Sequence, residues 1–306
     1  MLAASSPRGR ATRPWWVALT YEFGLLGLLY AAYMIARGAI GVEVAEARDR
    51  GLQILAIERA LRIDVERPMN DLLTALPAAG VTFAYLYATL HYVITPAVLV
   101  WVALRGRSDY AQARNSLLFA TVAGLLTYWL LPTAPPRLLD IGLVDTLAAF
   151  SHVGWWGEAA SAPRGLESFS NQYAALPSLH VGWAVWVAVW VSRHAPAAVV
   201  RRGIWAYPLV MSVVVMATAN HYLIDVIAGV LCVALGGWLA SRLAERQQAA
   251  VSAGATSATA AAQKRPARGT LTPALPLPLG AVVPEWNPRH HRRPTALVTV
   301  DSDAAA

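Results

Sequence analysis

Two histidines and one aspartate are the residues of this chain whose types and spacing suggest chemistry. His221 and Asp225 are four residues apart, so in a helix both side chains lie on one face, where the carboxylate can hold the imidazole tautomer and raise its basicity. His180 follows Pro177 and Ser178, a pair typical of a helix start. The free N–H groups and positive dipole end of such a start favour an anion.

A third segment adds a cation. Residues 132–137 read Pro-Thr-Ala-Pro-Pro-Arg; prolines end a helix, and Arg137 offers a planar charged fork that suits phosphate. Asn171 and Asn220 flank the motifs and can donate hydrogen bonds to the same anion, while Ser178 either contacts phosphate or caps its helix. Two imidazoles beside these groups form a plausible phosphoryl-transfer site, in which one histidine attacks phosphorus and the other protonates the departing oxygen. Because the nucleophile is a side chain, no metal or cofactor is expected.

The elements that must position these residues are membrane spans. Of the 306 residues, 57% are hydrophobic and only 14% are charged, against about 25% charged in a soluble domain. Apolar runs long enough to cross a bilayer of about 30 Å predict spans at 16–36, 81–104, 115–132, 177–193, 204–220 and 222–241. Between His180 and His221 the chain crosses once and returns, which brings both histidines to the same depth. We therefore predict an all-α integral membrane bundle of six transmembrane helices.

The regions outside the spans differ from them in composition and hydrophobic pattern. In residues 42–73, after the first span, apolar residues alternate with acids and arginines, which predicts an amphipathic helix lying in the membrane interface or packed over the bundle. Residues 1–15 are the expected cytoplasmic N-terminus, and 16–246 the membrane catalytic domain, with its core motifs in 132–229. Residues 247–306, rich in Ala, Ser, Thr and Pro with basic clusters, predict a disordered cytoplasmic tail that contacts anionic lipid.

Arginines predict the orientation in the cell membrane. Arginines lie before the first span, between the second and third, between the fourth and fifth, and after the sixth. They are Arg8, Arg10, Arg13, Arg105, Arg107, Arg114, Arg193, Arg201, Arg202, Arg242 and Arg246. The positive-inside rule makes that side cytoplasmic, so the loop 133–175 and the start of the last span face the extracytoplasmic side. Glu22 and His91, ionisable groups within spans, are expected to make a structural contact, either Glu22–His91 or Glu22–tyrosine.

Composition excludes several classes of protein. One cysteine, Cys232, excludes an intrachain disulfide framework and a cysteine-rich metal site. The single lysine, Lys264, lies in the tail, which excludes a Walker-type phosphate loop and a Schiff-base enzyme. The net charge of +7 lies mostly in short loops between apolar runs and in the tail, which indicates orientation by membrane lipids rather than binding of nucleic acid.

At its motifs the chain resembles the phosphatidic acid phosphatase type 2 superfamily of membrane lipid phosphatases and phosphotransferases. The resemblance covers residues 80–241 and is carried by Pro177-Ser178-Leu179-His180, by His221 and Asp225 followed by Gly229, and by Pro-Thr-Ala-Pro-Pro-Arg. It implies a six-helix membrane bundle with its site at the outer surface. It also implies that His221 is the nucleophile and forms a phosphohistidine, that Asp225 orients it, and that His180 is the general acid.

The departures from the family pattern indicate which branch of the family the chain resembles more. Where the phosphatases have a lysine and an arginine, this chain has Leu130 and Val215. Motifs without these cations look more like the branch of inositol phosphorylceramide synthases and sphingomyelin synthase, which move a phosphorylated headgroup between lipids. This predicts an inositol-phosphate-type phosphotransferase whose partners are a phosphorylated lipid and a water or alcohol acceptor. A simple lipid phosphate phosphatase (including one for polyprenyl phosphates) and a non-enzymatic membrane protein or transporter are the alternatives; donor, acceptor and oligomeric state do not follow from the sequence.

Overall fold

The computed structural model describes residues 43–157 and 170–263, with a few further residues inside 20–31 and at 164–165. This part of the chain is helical and contains no strand, which confirms the predicted all-α class for these residues. Most of the predicted span 16–36, including Glu22, and residues 264–306 lie outside the described residues.

The described residues form a series of helices. The longer ones are α1 (Val44–Leu61), α2 (Glu66–Thr74), α3 (Pro77–Ala103), α4 (Arg107–Leu130), α5 (Thr146–Ala149), α6 (Leu179–His194), α7 (Ala198–Gly203), α8 (Ala206–Ala217) and α9 (Leu223–Gln263). Single 3₁₀ turns occupy Pro136–Leu138 and Ser151–Val153.

Three described helical segments are long and apolar enough to cross a membrane: Pro77–Ala103, Ala198–Ala217 and Leu223–Ser257. They overlap the predicted spans 81–104, 204–220 and 222–241. Helices α4 and α6 occupy the predicted spans 115–132 and 177–193 without reaching the same combination of length and apolar character. The arrangement of six spans therefore stays a prediction.

The predicted amphipathic segment forms two helices instead of one. The first, α1, ends where Arg62 adopts a left-handed conformation with φ 57°. The apolar residues of α1 face two ways, because Leu55 is buried while Leu52 and Ile57 are exposed. The backbone N–H of Ala134 donates to the carbonyl of Ala47 at 2.9 Å. Helix α1 therefore packs over the motif at 132–137, one of the two predicted placements, and a position in the membrane interface stays a prediction.

Helix α6 packs along two of the three hydrophobic clusters of the described residues. Near its start Val181 and Ala184 pack in one buried cluster with Met211, and near its end Trp186 and Trp190 belong to a second. The sequence Leu179–His194 is apolar all round, as expected for a helix surrounded by others. Because α6 is fixed along its whole length, His180 and His194 are held at opposite ends of the bundle.

The arginine-rich connections meet at the end of the bundle that holds His194. Arg105 Nη1 donates to the carbonyl of His194 at 2.8 Å, and Gln112 Nε2 donates to Ser241 Oγ at 3.2 Å. The first contact joins the α3–α4 connection to the end of α6, and the second joins α4 to the middle of α9. Helix α9 then continues to Gln263, so the helix extends into the segment predicted to be a disordered tail, where alanine-rich sequence has a high helix propensity.

Candidate active site

The three motif segments meet through their backbones at the other end of the bundle. The N–H of Ala175 donates to the carbonyl of Thr133 at 3.3 Å, and the N–H of Ser178 donates to the carbonyl of Asp225 at 2.9 Å. The start of α6 thus lies between the proline turn and the start of α9. Side chains separated by more than forty residues in the sequence converge here because ordinary backbone hydrogen bonds join the segments that carry them.

Gly229 permits the close approach of α6 and α9. A Cβ atom at this position would overlap with the carbonyl oxygen of Ser178, so no side chain fits there without moving a backbone. Ser178 itself precedes α6 and makes no side-chain cap hydrogen bond. Its Oγ is buried without a hydrogen-bond partner among the described residues. Ser178 therefore occupies the N-cap position of α6 without a side-chain cap bond, and phosphate contact stays a prediction.

His221 is held through its Nδ1 atom. This nitrogen lies 2.8 Å from the carbonyl oxygen of Ala175 and 3.4 Å from Asp225 Oδ2. Both partners accept hydrogen bonds, so the proton of the neutral ring sits on Nδ1 and the lone pair on Nε2. Asp225 Oδ2 also accepts a bond from the N–H of Tyr222 at 2.9 Å. Asp225 therefore contacts the imidazole as predicted and also caps its own helix, while the nearer acceptor, Ala175, was not predicted.

His180 faces His221 across the site. The ring centroids are 5.9 Å apart, and His180 Nε2 is buried without a hydrogen-bond partner among the described residues. Tyr87 stacks on His180 with centroids 4.3 Å apart, and His91 meets the same ring edge-on at 4.3 Å. The two rings on α3 thus fix the plane of His180 next to the lone pair of His221.

Sequence reasoning placed His91 outside the site and did not single out Tyr87. The structure brings both against His180, and His91 Nδ1 lies 3.1 Å from the carbonyl of Tyr87. Their spacing of four residues on one helix face is the signal that could have found them. Glu22, the predicted partner of His91, lies outside the described residues, so that contact stays a prediction.

Arg137 is buried and held by two partners. Its Nε donates to Asn220 Oδ1 at 2.9 Å, and its Nη1 donates to Asp145 Oδ2 at 3.1 Å. Asp145 also caps α5, because its Oδ1 accepts a bond from the N–H of Ala148 at 3.0 Å. Asn220 lies directly before His221 in the chain, so the guanidinium is tied to the segment that carries the nucleophile candidate. Sequence reasoning did not identify Asp145.

The remaining predicted position, Asn171, orders the loop before α6. Its Oδ1 accepts a bond from the N–H of Tyr173 at 3.1 Å, and the carbonyl of Tyr173 accepts a bond from the N–H of Thr133 at 2.8 Å. Asn171 thereby supports the junction between two motifs. At the two positions that lack the family's cations, Leu130 is exposed and Val215 is buried in the core.

Among the described residues, no group of three or more His, Cys, Asp or Glu side chains has an arrangement that could hold a metal ion. The chemistry available at this end of the bundle is that of an oriented imidazole, a second imidazole and a fixed guanidinium. Such a set can attack, protonate and bind a phosphoryl group.

A family profile described as the PAP2 superfamily matches residues 52–239. This chain belongs to the PAP2 superfamily. It is also 29% identical over 148 residues to the phosphoinositol dihydroceramide synthase of Bacteroides thetaiotaomicron, covering 44% of this chain and 46% of that protein. The chain thus spans about half the length of the curated relative it matches. No solved structure matches the chain.

Membership of the PAP2 superfamily confirms the family recognised from the motifs and supports a lipid phosphatase or phosphotransferase. The match begins at residue 52, whereas the motif resemblance began near residue 80. It therefore includes α2 and about half of α1, the helices that pack over the motifs.

Proposed function

We propose that this protein is a membrane phosphotransferase that moves the phosphorylated headgroup of a lipid to a hydroxyl acceptor through a phosphohistidine on His221. The superfamily supports a lipid phosphatase or phosphotransferase. Transfer of an inositol phosphate is supported by the name of the curated relative and by the apolar residues Leu130 and Val215 at the positions of the phosphatase cations.

The orientation of His221 is the observation that carries the proposal. Nδ1 carries the ring proton and donates it in a hydrogen bond to the carbonyl of Ala175 at 2.8 Å. Nε2 therefore has the free lone pair and attacks phosphorus. The bond between phosphorus and the departing lipid oxygen breaks, its electron pair leaves with that oxygen, and protonated His180 supplies the proton. Neutral His180 then takes the proton of the acceptor hydroxyl, whose oxygen attacks phosphorus and releases His221. With water as the acceptor, the same steps hydrolyse the lipid.

Arg137 binds the phosphoryl oxygens. Its fork is already held by Asn220 and Asp145, so little side-chain entropy remains to be lost when the anion binds. A positioned guanidinium favours the charge that develops on the oxygens during transfer. The buried hydroxyl of Ser178 supplies a further hydrogen bond, and Asn171 keeps the loop before it in place.

The site faces the extracytoplasmic side of the cell membrane. Arg105 in the α3–α4 connection and Arg201 in α7 donate to backbone carbonyls at the opposite end of the bundle, those of His194 and Ala195. The positive-inside rule assigns that basic end to the cytoplasm.

The test supplies the purified full chain, in lipid nanodiscs, with phosphatidylinositol and dihydroceramide. Transfer yields phosphoinositol dihydroceramide, and hydrolysis yields water-soluble inositol phosphate, so mass spectrometry of both phases separates the two reactions. His221→Ala is expected to lower the rates of transfer and of hydrolysis at least about 1,000-fold. A donor labelled in its phosphate is expected to leave an acid-labile label on the wild-type protein only. His194→Ala, at the other end of α6, is the matched control. A folded wild-type protein that forms neither product nor label with any phospholipid donor is a non-enzymatic member of the fold.

A further inference from the structure

The first turn of α9 receives its caps from distant helices. The N–H of Leu223 donates to Glu66 Oε1 at 2.7 Å, and the N–H of Ile224 donates to Glu58 Oε1 at 2.8 Å. Free N–H groups at a helix start are usually capped by a residue a few positions away in the same chain segment. Here α1 and α2 provide the acceptors from more than 150 residues earlier in the sequence.

The two carboxyl groups form a buried pair. Glu58 is 0% exposed and Glu66 is 1% exposed, and the two groups lie close together because their Oε1 atoms accept from the adjacent amides of Ile224 and Leu223. The second oxygen of each, Oε2, has no hydrogen-bond partner among the other described groups. Two adjacent buried carboxylates repel each other strongly, whereas one proton shared by the two groups removes a charge.

Among the residues that the structure describes, no cationic side chain bonds to the Glu58–Glu66 pair. Asp225 and the hydroxyl of Tyr222 face the pair from α9, and Asp225 is a further carboxyl group. Of the nearby cations that the structure describes, Arg59 lies 3.9 Å from Asp64, and Arg67 donates to a backbone carbonyl. Neither guanidinium bonds to the pair, so a proton is the group that can relieve the repulsion.

We propose that Glu58 and Glu66 share one proton as a carboxylic acid–carboxylate pair that positions the start of α9, and with it His221 and Asp225, for phosphoryl transfer. The pair does not touch the substrate. It holds the amides of Leu223 and Ile224, directly beside Tyr222, whose N–H is held by Asp225. The effect on activity rests on the function proposed above, whereas the shared proton is a property of the folded chain itself.

The shared proton makes the stability of the protein depend on pH. Burial raises the pKa of Glu58 from 4.5 to about 8, with repulsion from Glu66 and Asp225 acting in the same direction, and burial also raises the pKa of Glu66. Because the folded state binds this proton more tightly than the unfolded state, the stabilisation is complete below about pH 4.5 and is lost as the pH rises towards about 8. Above that pH both groups are charged and the start of α9 loosens.

Glu58→Gln tests the pair because the amide imitates the protonated acid. Its carbonyl oxygen can still accept the N–H of Ile224, and its NH₂ group can donate to Glu66. We expect Glu58→Gln to keep kcat within about threefold at neutral pH and to lack the fall in kcat that is expected of the wild type above about pH 8. Glu58→Ala removes the acceptor and is expected to lower kcat about 100-fold by misplacing His221, with little change in KM. Glu46→Gln, whose carboxyl group lies on the same helix and is 61% exposed, is the control.

A second measurement needs no activity. The thermal midpoint of the purified full chain is recorded from pH 5 to pH 9, and the midpoint of Glu58→Gln minus that of the wild type is expected to grow by a few degrees as the pH rises. Glu46→Gln is expected to show no such trend. A difference that does not depend on pH, or a Glu58→Gln enzyme as impaired as Glu58→Ala, overturns the proposal. Glu66→Gln must reproduce the trend and replaces Glu58→Gln if that variant does not fold. A wild type without transferase activity that still shows the trend contradicts only the proposed function.

Discussion

Two histidine–aspartate pairs lie at opposite ends of the helical bundle. His221 Nδ1 and Asp225 Oδ2 are 3.4 Å apart, and His194 Nε2 and Asp109 Oδ2 are also 3.4 Å apart. In the first pair the side chains are 4% and 0% exposed, whereas in the second they are 15% and 47% exposed. The same separation between the two side chains is therefore found in a buried pair and in a partly exposed pair.

The neighbours of the two pairs explain why only one has the parts of a catalytic site. His221 has a second acceptor on Nδ1, the carbonyl of Ala175, and faces another imidazole, that of His180. His194 is instead bordered by the rings of Trp190 at 5.5 Å and Trp101 at 6.3 Å. A carboxylate beside an imidazole is thus a common surface contact of small energy. Burial, a fixed tautomer and a second imidazole distinguish the pair that we propose as catalytic.

The largest difference between the two ends is expected from replacing the aspartates. Asp225→Asn removes the charge beside His221 and should lower kcat for headgroup transfer about 100-fold, while the carbonyl of Ala175 still holds the tautomer and limits the loss. Asp109→Asn should change kcat less than about twofold. Steady-state rates of the two purified variants measure this contrast, and equal losses would show that burial does not distinguish the pairs.

A smaller effect is expected from adding a methyl group where α6 and α9 touch. Gly229→Ala puts a Cβ atom against the carbonyl of Ser178, an overlap that only a backbone shift can relieve, and should destabilise the fold by about 2 kcal/mol. Gly237 lies on the same helix, and a Cβ atom added there would have nothing within 4 Å, so Gly237→Ala should be neutral or stabilising by about 0.5–1 kcal/mol. Thermal unfolding in one detergent compares the two. Equal stability of both variants would contradict the tight packing at the site.

Arg137→Lys tests whether the geometry of the guanidinium matters as well as its charge. Lysine keeps the charge but loses the fork that Asn220 and Asp145 hold, so KM for the lipid donor should rise about tenfold. Arg105→Lys at the opposite end should leave KM unchanged within about twofold. If both arginines tolerate lysine equally well, phosphate recognition depends on charge alone.

The smallest effect is expected at the exposed pair. His194→Gln removes the contact with Asp109, whose side chain is 47% exposed, and should cost less than about 1 kcal/mol of stability. Turnover should stay at the wild-type value. A loss of turnover greater than about tenfold would mean that the two ends of α6 are coupled.

Much of the catalytic end could be predicted from the sequence. The positions of His180, His221 and Asp225 follow from helix starts marked by proline and from a spacing of four residues, which are local signals. The prolines of residues 132–137 likewise marked the end of α4. The division of residues 42–73 into two helices was not predicted, because Arg62 in a left-handed conformation has no strong sequence signal.

The partners of these residues could not be predicted in the same way. Glu58 and Glu66 lie in the segment 42–73 that was predicted to be an amphipathic helix, and both are buried against α9. The contact of Asp145 with Arg137 and that of His91 with His180 join side chains from different elements. The hydrophobic periodicity of one helix does not specify which distant helix will pack against it.

The amino-acid sequence by itself determined the helical class, the PAP2 motifs and the candidate site residues, because apolar period, proline and residue type act over a few positions along the chain. The tertiary structure alone decided which nitrogen of His221 is protonated, what holds Arg137 and why two acids can be buried beneath α9. These properties depend on hydrogen bonds between segments up to 166 residues apart, and such bonds exist only after the helices have packed and excluded water.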